Sequence, residues 1–160
     1  MSLLDGIRFG VATRDEVAGK SGLEILAAMI AGVLPAPAIC KPLNFRLVEV
    51  REGFALFEGE TGPELLNPMG GVHGGWALTL IDSATGCACM STLAAGVSYT
   101  TVETKANFVR PILADTGRVQ CSAQVIHRGR QIVTTESRVT DADGRLLAHG
   151  TSTLMVLAGR

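Results

Sequence analysis

Charged residues are scarce in this chain, and their scarcity excludes several classes of protein. Asp, Glu, Lys and Arg make up 18% of the 160 residues, against a hydrophobic share of 47%. Such a composition excludes a disordered chain and points to one domain with a real core and extra burial in a subunit interface. The formal net charge is −1, so no broad attraction to nucleic acid or to a membrane surface is expected.

Several familiar cysteine and targeting patterns are also missing. The four cysteines show no CxxC spacing, so they are expected to be buried small residues, with no metal site. The first residues contain no basic region followed by an apolar run, so no signal peptide is expected. The stretch of residues 65–101 has one charged side chain, but it holds too many Gly, Ser, Thr, Asn and His residues for a bilayer span. A cytoplasmic protein with reduced thiols is the simplest interpretation.

Hydrophobic periodicity predicts an α+β fold. A Ser21–Glu24 capping box begins a helix that Pro35 and Pro37 end. A second helix, apolar nearly all round, is predicted over residues 74–94 and should be buried on most faces. Because the strands are segregated around this helix, an antiparallel sheet is expected. The predicted strands cover residues 44–50, 54–59, 100–109, 118–128, 131–140 and 145–157.

One carboxylate stands alone in the uncharged stretch. Asp82 is the only formally charged side chain between Glu64 and Glu103. A carboxylate among apolar residues is costly to desolvate unless something compensates it. Two interpretations stay open from the residues alone: a functional acid, or a structural Asp that holds a backbone amide or a hydroxyl.

A glycine-rich turn precedes the buried helix. Residues 70–75 read Gly-Gly-Val-His-Gly-Gly, and the first amides of a helix lack partners within the helix. Glycines allow a ligand close to the backbone, so this start could hold an oxyanion or a carbonyl oxygen. His73 could equally be a cap or a packing residue, and Asn67 a turn residue beside Pro68.

The spacing of these features predicts a dimer if both are catalytic. His73 and Asp82 are nine residues apart, which is about 13 Å of helical rise. One chain therefore cannot easily bring both to one small substrate. Two antiparallel copies of the helix would place each helix start beside the other chain's Asp82, giving two equivalent sites.

Arginines near strand ends are the remaining candidates for ligand binding. Arg110, Arg128 and Arg130 are grouped there in an otherwise lightly charged chain. They are either solvated strand edges or partners for a phosphate group, which arginine binds well. Cys87 and Cys89 have no clear basic partner, so neither is expected to be a nucleophile.

Together these motifs resemble the hotdog-fold acyl-CoA thioesterases of the PaaI-like, phenylacetate-pathway type. The resemblance covers roughly residues 40–157. It implies a long central helix wrapped by an antiparallel sheet of about five or six strands, a homodimer, and often a dimer-of-dimers tetramer. It divides the chain into an N-terminal helical extension (1–40) and a hotdog domain (41–160). The matching segments are Asn67, residues 70–75, Leu80-Ile81-Asp82, residues 107–111, Gly129-Arg130 and residues 143–148.

The resemblance also implies roles for particular residues. Asp82 matches the catalytic carboxylate, as nucleophile or as base on water. Gly74 matches the residue whose N–H polarises the thioester carbonyl, while His73 and Asn67 match residues that support substrate or water. Thr101 falls where a hydroxyl lies near the attacking water. The implied coenzyme A contacts are Arg110, His127, Arg128, Gly129 and Arg130.

No metal and no separate cofactor are expected, because coenzyme A is part of the substrate and a thioester carbonyl is already activated. Two alternatives remain from other classes. One is a hotdog protein that binds acyl-CoA as a sensor without hydrolysing it. The other is a hotdog hydratase or dehydratase, although its Asp or Glu paired with a His fits this sequence less well.

Overall fold

The computed structural model describes residues 2–157 and has six strands around one long helix. Two short helices precede the sheet, and single 3-10 turns lie at Ala38–Cys40 and Pro63–Leu65. In chain order the elements are α1 (Arg14–Val17), α2 (Gly22–Ile30), β1 (Phe45–Arg51), β2 (Phe54–Glu60), α3 (Gly74–Met90), β3 (Ser98–Phe108), β4 (Arg118–Arg128), β5 (Ile132–Asp141) and β6 (Leu146–Leu157).

The sheet has the order β1-β2-β4-β5-β6-β3, and every neighbouring pair is antiparallel. Helix α3 packs against all six strands, which confirms the predicted α+β architecture with a central helix. Phe45 and Phe57 meet edge to face at 5.9 Å between ring centroids, and Leu80 and Ile81 are fully buried beneath them. Full burial of each such side chain contributes about 1.5–3 kcal/mol, so this layer holds α3 in the sheet.

Helix α3 is shorter than predicted. It ends at Met90 rather than at residue 94, so the expectation for its last turn is wrong. The amides of Thr92 and Leu93 donate to carbonyls three residues back, Cys89 O and Met90 O, at 3.0 Å each. Bonds of this spacing tighten the chain and end the α-helix. Nothing in the apolar sequence pattern distinguishes such a turn from another helical one.

The N-terminal segment, defined here as residues 2–40, packs on the sheet and on α3. At Gly22, an added Cβ would lie only 1.9 Å from Met90 O, and the Gly22 N–H donates to Leu93 O at 3.0 Å. Within the segment itself, the Ala36 N–H donates to Arg8 O at 2.8 Å. Gly22 therefore fits α2 closely against the end of α3, while the division of the chain at residue 40 stays a prediction. In the part of the chain from residue 2 to 157, no helix is both long and apolar enough to cross a membrane.

Candidate active site

His73 begins α3 as its N-cap, one of the two interpretations that the sequence allowed. Its extended backbone (φ −61°, ψ 130°) precedes the helix, and its Nδ1 accepts a hydrogen bond from the Gly75 N–H at 2.9 Å. Its carbonyl accepts from the Trp76 N–H at 2.9 Å. Because Nδ1 is an acceptor, the neutral ring carries its proton on Nε2. The side chain thus satisfies one helix amide and keeps one donor for another group.

The Gly74 amide is left open by this cap. Its N–H finds no hydrogen-bond acceptor among residues 2–157, and it lies at the positive end of the helix dipole. The ring of Phe108 covers the α-carbon, since an added Cβ at Gly74 would lie 3.2 Å from Phe108 Cζ. An unpaired amide in this position can bind a carbonyl oxygen or an oxyanion.

Asn67 closes the turn that leads into α3. Its Oδ1 accepts from the Met69 N–H at 2.9 Å and from the Gly71 N–H at 3.3 Å, and its own N–H donates to Gly71 O at 2.7 Å. This is the Asx-turn geometry expected of an Asn before a glycine-rich loop. The side-chain oxygen of Asn67 is therefore committed to shaping the helix start.

Asp82 lies in the middle of α3 and accepts hydrogen bonds from two hydroxyl groups of β3. Its Oδ1 accepts from Thr101 Oγ1 at 3.1 Å and from Thr104 Oγ1 at 3.2 Å. Within the described residues Oδ2 has no partner, and the side chain is exposed in the single chain. The apolar neighbours in sequence suggested burial, but they point into the sheet while Asp82 lies on the open face of the helix. One carboxylate oxygen is thus fixed and the other is free.

A β-bulge makes the double contact possible. In a regular strand, residues three apart point to opposite faces, so Thr101 and Thr104 could not both reach Asp82. The β3–β6 register shifts between Thr101 and Glu103, which leaves Val102 as an extra residue. Thr104 also contacts Ser152 Oγ at 3.0 Å. The sequence prediction named Thr101 but missed Thr104, because alternation assigns it to the wrong face.

The open face of α3 continues into the free edge of the sheet. Gly75, Leu78 and Asp82 are exposed along one side of the helix, with Leu78 at 36%. Strand β3 pairs only with β6, and Val102 on it is 59% exposed. Gly74 and Asp82 are eight residues apart on one rigid helix, about 12 Å along its axis. A single chain therefore carries both groups without bringing them together.

The predicted coenzyme A contacts lie in two places. Arg110 donates from Nη1 to Leu146 O at 2.6 Å, while Arg128 donates from Nε to Thr92 Oγ1 at 3.2 Å and from Nη1 to Gly129 O. His127 and Arg130 are exposed beside Arg128. Because β3 and β4 run in opposite directions, Arg110 and Arg128 lie roughly 25–30 Å apart. In a single chain Arg110 therefore lies apart from Arg128 and Arg130, and their role in ligand binding stays a prediction.

The cysteines behave as core residues. Burial raises the pKa of the Cys87 thiol to about 12 and that of Cys89 to about 11. Both are therefore protonated near neutral pH and are poor nucleophiles. Among the residues that the structure describes, no three His, Cys, Asp or Glu side chains lie together as a group that could hold a metal ion.

Comparisons with known proteins identify the family to which the chain belongs. The family model of the thioesterase superfamily matches residues 69–148, half of the chain. The acyl-coenzyme A thioesterase PaaI of Escherichia coli K12 is 36% identical over 96 residues, which is 59% of this chain and 64% of PaaI.

Two solved structures extend the likeness to the whole fold. A phenylacetic acid degradation-related protein from Ralstonia eutropha JMP134 is 28% identical with a TM-score of 0.74, covering 82% of this chain and 98% of that one. A hypothetical thioesterase of Streptococcus pneumoniae, solved with coenzyme A, is 25% identical with a TM-score of 0.67, covering 77% of this chain and 93% of that one.

The matched family segment contains the helix start, Asp82 and both threonines of β3. The family model, the PaaI relative and the fold all indicate a thioesterase. The chain belongs to the thioesterase superfamily, as a thioester hydrolase of the PaaI-like hotdog type.

Proposed function

We propose that this protein hydrolyses acyl-CoA thioesters with Asp82 as its catalytic carboxylate. The observation that carries the proposal is the geometry of that side chain: Oδ1 is held by Thr101 and Thr104, and Oδ2 is free at an exposed position. A fixed carboxylate with one open oxygen suits either proton abstraction from water or direct attack on a carbonyl. Acyl-CoA is the substrate named for the PaaI relative, and coenzyme A is bound by the pneumococcal one.

In the proposed reaction, the open Gly74 N–H binds the thioester carbonyl oxygen. Water attacks the carbonyl carbon and its proton passes to Asp82. The tetrahedral intermediate then collapses and the C–S bond breaks. The departing thiolate takes the proton back from Asp82 and leaves as the coenzyme A thiol. His73, with its Nε2–H available, and Asn67, which shapes the turn, support this end of the substrate. If Asp82 attacks instead, the thiolate is expelled and a mixed anhydride forms. When water opens that anhydride at the Asp82 carboxyl carbon, single-turnover hydrolysis in ¹⁸O-labelled water puts the label into Asp82 and leaves it out of the first acid released.

The site we propose is shared between two chains. Its support is the 12 Å separation of Gly74 and Asp82 along α3, together with the exposed stripe of Gly75, Leu78 and Asp82. Antiparallel packing of two α3 helices through this stripe brings Gly74 of one chain to Asp82 of the other. The same arrangement pairs the free β3 edges, which removes an exposed strand edge. Assembly of two such dimers into a tetramer is a further expectation of this proposal.

The same two-fold axis supports the proposed coenzyme A site. Arg110 lies at one end of the sheet, and His127, Arg128, Gly129 and Arg130 lie at the other. Pairing β3 edges in opposite directions would bring Arg110 of one chain to the end that carries the second group in its neighbour. Guanidinium groups from both chains would then face one nucleotide and its phosphates.

A thiol-release assay over a panel of acyl-CoA substrates tests the proposal. We expect Asp82→Asn to lower kcat by about 100- to 10,000-fold, because a general base contributes that much. Circular dichroism and gel filtration should be unchanged, since the exposed side chain keeps its shape. Glu52→Gln is the matched control: it neutralises an exposed carboxylate in the β1–β2 turn. Full activity of Asp82→Asn would refute the role of Asp82, and binding without turnover in the wild type would identify a sensor instead.

A further inference from the structure

Two buried hydroxyl groups lie behind Asp82, between α3 and the sheet. Thr85 on α3 has no exposed surface, and Ser152 on β6 is 2% exposed. Their Oγ atoms lie 2.9 Å apart. The neighbours of Thr85 on the inner face of α3, Ile81 and Ala88, are apolar and fully buried. A buried hydroxyl group costs free energy unless it has a hydrogen-bond partner, so this pair forms an ordered polar contact inside an apolar core.

The two hydroxyl groups extend the contact between β3 and Asp82 into the interior. Ser152 is the cross-strand partner of Thr104 in the β3–β6 register, and their Oγ atoms are 3.0 Å apart. Thr104 in turn donates to Asp82 Oδ1 at 3.2 Å. Three hydroxyl groups therefore lead in series to the carboxylate, and we call Thr85, Ser152 and Thr104 the hydroxyl chain.

The single hydrogen of each hydroxyl group fixes the direction of the hydroxyl chain. An ionised carboxylate only accepts hydrogen bonds, so Thr104 is the donor to Asp82. Because Thr104 has then used its hydrogen, its oxygen must accept from Ser152. Ser152 has used its own hydrogen in turn, so it accepts from Thr85. All three hydroxyl groups consequently donate towards the carboxylate.

The competing arrangement for Thr85 is a hydrogen bond to its own helix. The carbonyls of Ile81 and Asp82 lie within reach, at 2.8 Å and 3.1 Å from Thr85 Oγ1. Both belong to regular turns of α3, where each carbonyl accepts from the amide four residues later. If Thr85 donated to them, its oxygen would face the Ser152 oxygen with no hydrogen between the two atoms. Donation to Ser152 avoids that contact and leaves no carbonyl without a donor.

We propose that Thr85 and Ser152 are positioning residues for Asp82. This inference rests on the proposed function, because it takes Asp82 as the base that receives the water proton. Hydrogen bonds in a chain polarise one another, so the Thr104 hydroxyl becomes a stronger and better directed donor. Oδ1 is then held by Thr101 and Thr104, and Oδ2 is the oxygen that accepts the proton from water.

Two pairs of substitutions test the role of the buried hydroxyl groups. Thr85→Val deletes one link of the hydroxyl chain. Its matched control is Thr135→Val, which deletes an equally buried hydroxyl that donates to the Ser152 carbonyl outside the chain. Ser152→Ala has a similar control in Ser137→Ala, because the buried Ser137 hydroxyl donates to Gly150 O at 3.3 Å.

The two chain variants should differ from their controls in kcat. We expect Thr85→Val and Ser152→Ala to lower kcat by about three- to tenfold, the effect of losing one net hydrogen bond, with KM unchanged. All four variants should lose about 2–4 °C in Tm, while the two controls keep the wild-type kcat. Thr85→Ser returns the hydroxyl and should restore kcat. A change confined to KM, or equal kcat values in each variant and its control, would overturn the proposal.

A double variant tests whether the buried pair acts through Thr104. If Thr104 is the link to Asp82, Thr104→Val combined with Ser152→Ala should be no slower than Thr104→Val alone, because the first substitution already breaks the hydroxyl chain. Losses of kcat that multiply would mean that Ser152 affects the rate by another route, which would overturn the serial arrangement.

Neutron diffraction from deuterated crystals separates this inference from the proposed function. At neutral pH we expect the Thr85 deuterium to point towards Ser152, and the Ser152 deuterium towards Thr104. A Thr85 deuterium directed at Ile81 O would overturn the hydroxyl chain even if Asp82→Asn is inactive. Deuterium atoms in the expected positions, together with full activity of Asp82→Asn, would refute the proposed function and leave the direction of the chain standing.

Discussion

The start and the middle of α3 offer opposite hydrogen-bonding groups to a ligand. At the start, His73 satisfies the Gly75 and Trp76 amides, while the Gly74 N–H has no acceptor among residues 2–157. In the middle, Asp82 Oδ1 accepts hydrogen bonds from two hydroxyl groups of β3, while Oδ2 has no partner among residues 2–157. One region offers a donor and the other an acceptor, and the rigid helix keeps them about 12 Å apart. The comparison teaches that one chain carries both groups at a fixed separation, which is why the site proposed above is shared between two chains.

Mixing variants of the two regions is the strongest test of this division. Gly74→Pro removes the N–H at the one helical position that tolerates proline, and should lower kcat/KM by about 100- to 1,000-fold. Gly74→Ala keeps the N–H and is its control for the added carbon beside Phe108. When Gly74→Pro and Asp82→Asn proteins exchange subunits in equal amounts, we expect about a quarter of wild-type activity, since half of the dimers then hold one intact site.

Failure of the mixed subunits to recover activity would contradict the shared site. If mass spectrometry of differently tagged subunits confirms exchange and the mixture stays inactive, both groups must act within one chain. A site within one chain would require the helix start and Asp82 to approach by another route, which the straight geometry of α3 does not provide.

The two threonines of β3 allow a test of the hydrogen bonds to Asp82 in the middle of the helix. Thr101→Val or Thr104→Val each deletes one donor to Asp82 Oδ1, and we expect each to lower kcat several-fold because the carboxylate loses orientation. Thr101→Ser and Thr104→Ser should restore the rate by returning the hydroxyl. Steady-state kinetics of the four variants measure this effect. A higher KM with an unchanged kcat would assign the hydroxyls to substrate binding instead.

The smallest expected effect concerns the helix start. His73→Ala should lower the free energy of unfolding by about 1 kcal/mol, because the Gly75 amide loses its cap. Asn is a good N-cap, so His73→Asn should recover the stability in urea denaturation. If activity recovers with it, His73 acts only by capping α3. If activity stays low in a stable His73→Asn protein, the imidazole itself supports the substrate.

The sequence predicted the features that depend on local pattern. Strand β4 was predicted over 118–128, where the structure has it, because its side chains alternate regularly. The glycines before α3 and the isolated Asp82 were found because their residue types are unusual for their positions. Thr104 was missed because the β-bulge shifts the alternation of side chains along β3. The end of α3 was predicted four residues late because the hydropathy of the sequence does not show where the hydrogen-bond spacing changes. The sequence placed the three arginines near strand ends, but it could not say which end of the sheet each strand reaches.

The position of β3 at the sheet edge also sets the order in which the protein can be assembled as it is made. Its only partner in the chain, β6, follows after residues 109–145. At synthesis rates of roughly 5–20 residues per second, β3 waits for seconds before it can pair. During that delay the strand that carries Thr101 and Thr104 is not yet paired with β6, so the Asp82 half of the site is among the last parts of the molecule to form.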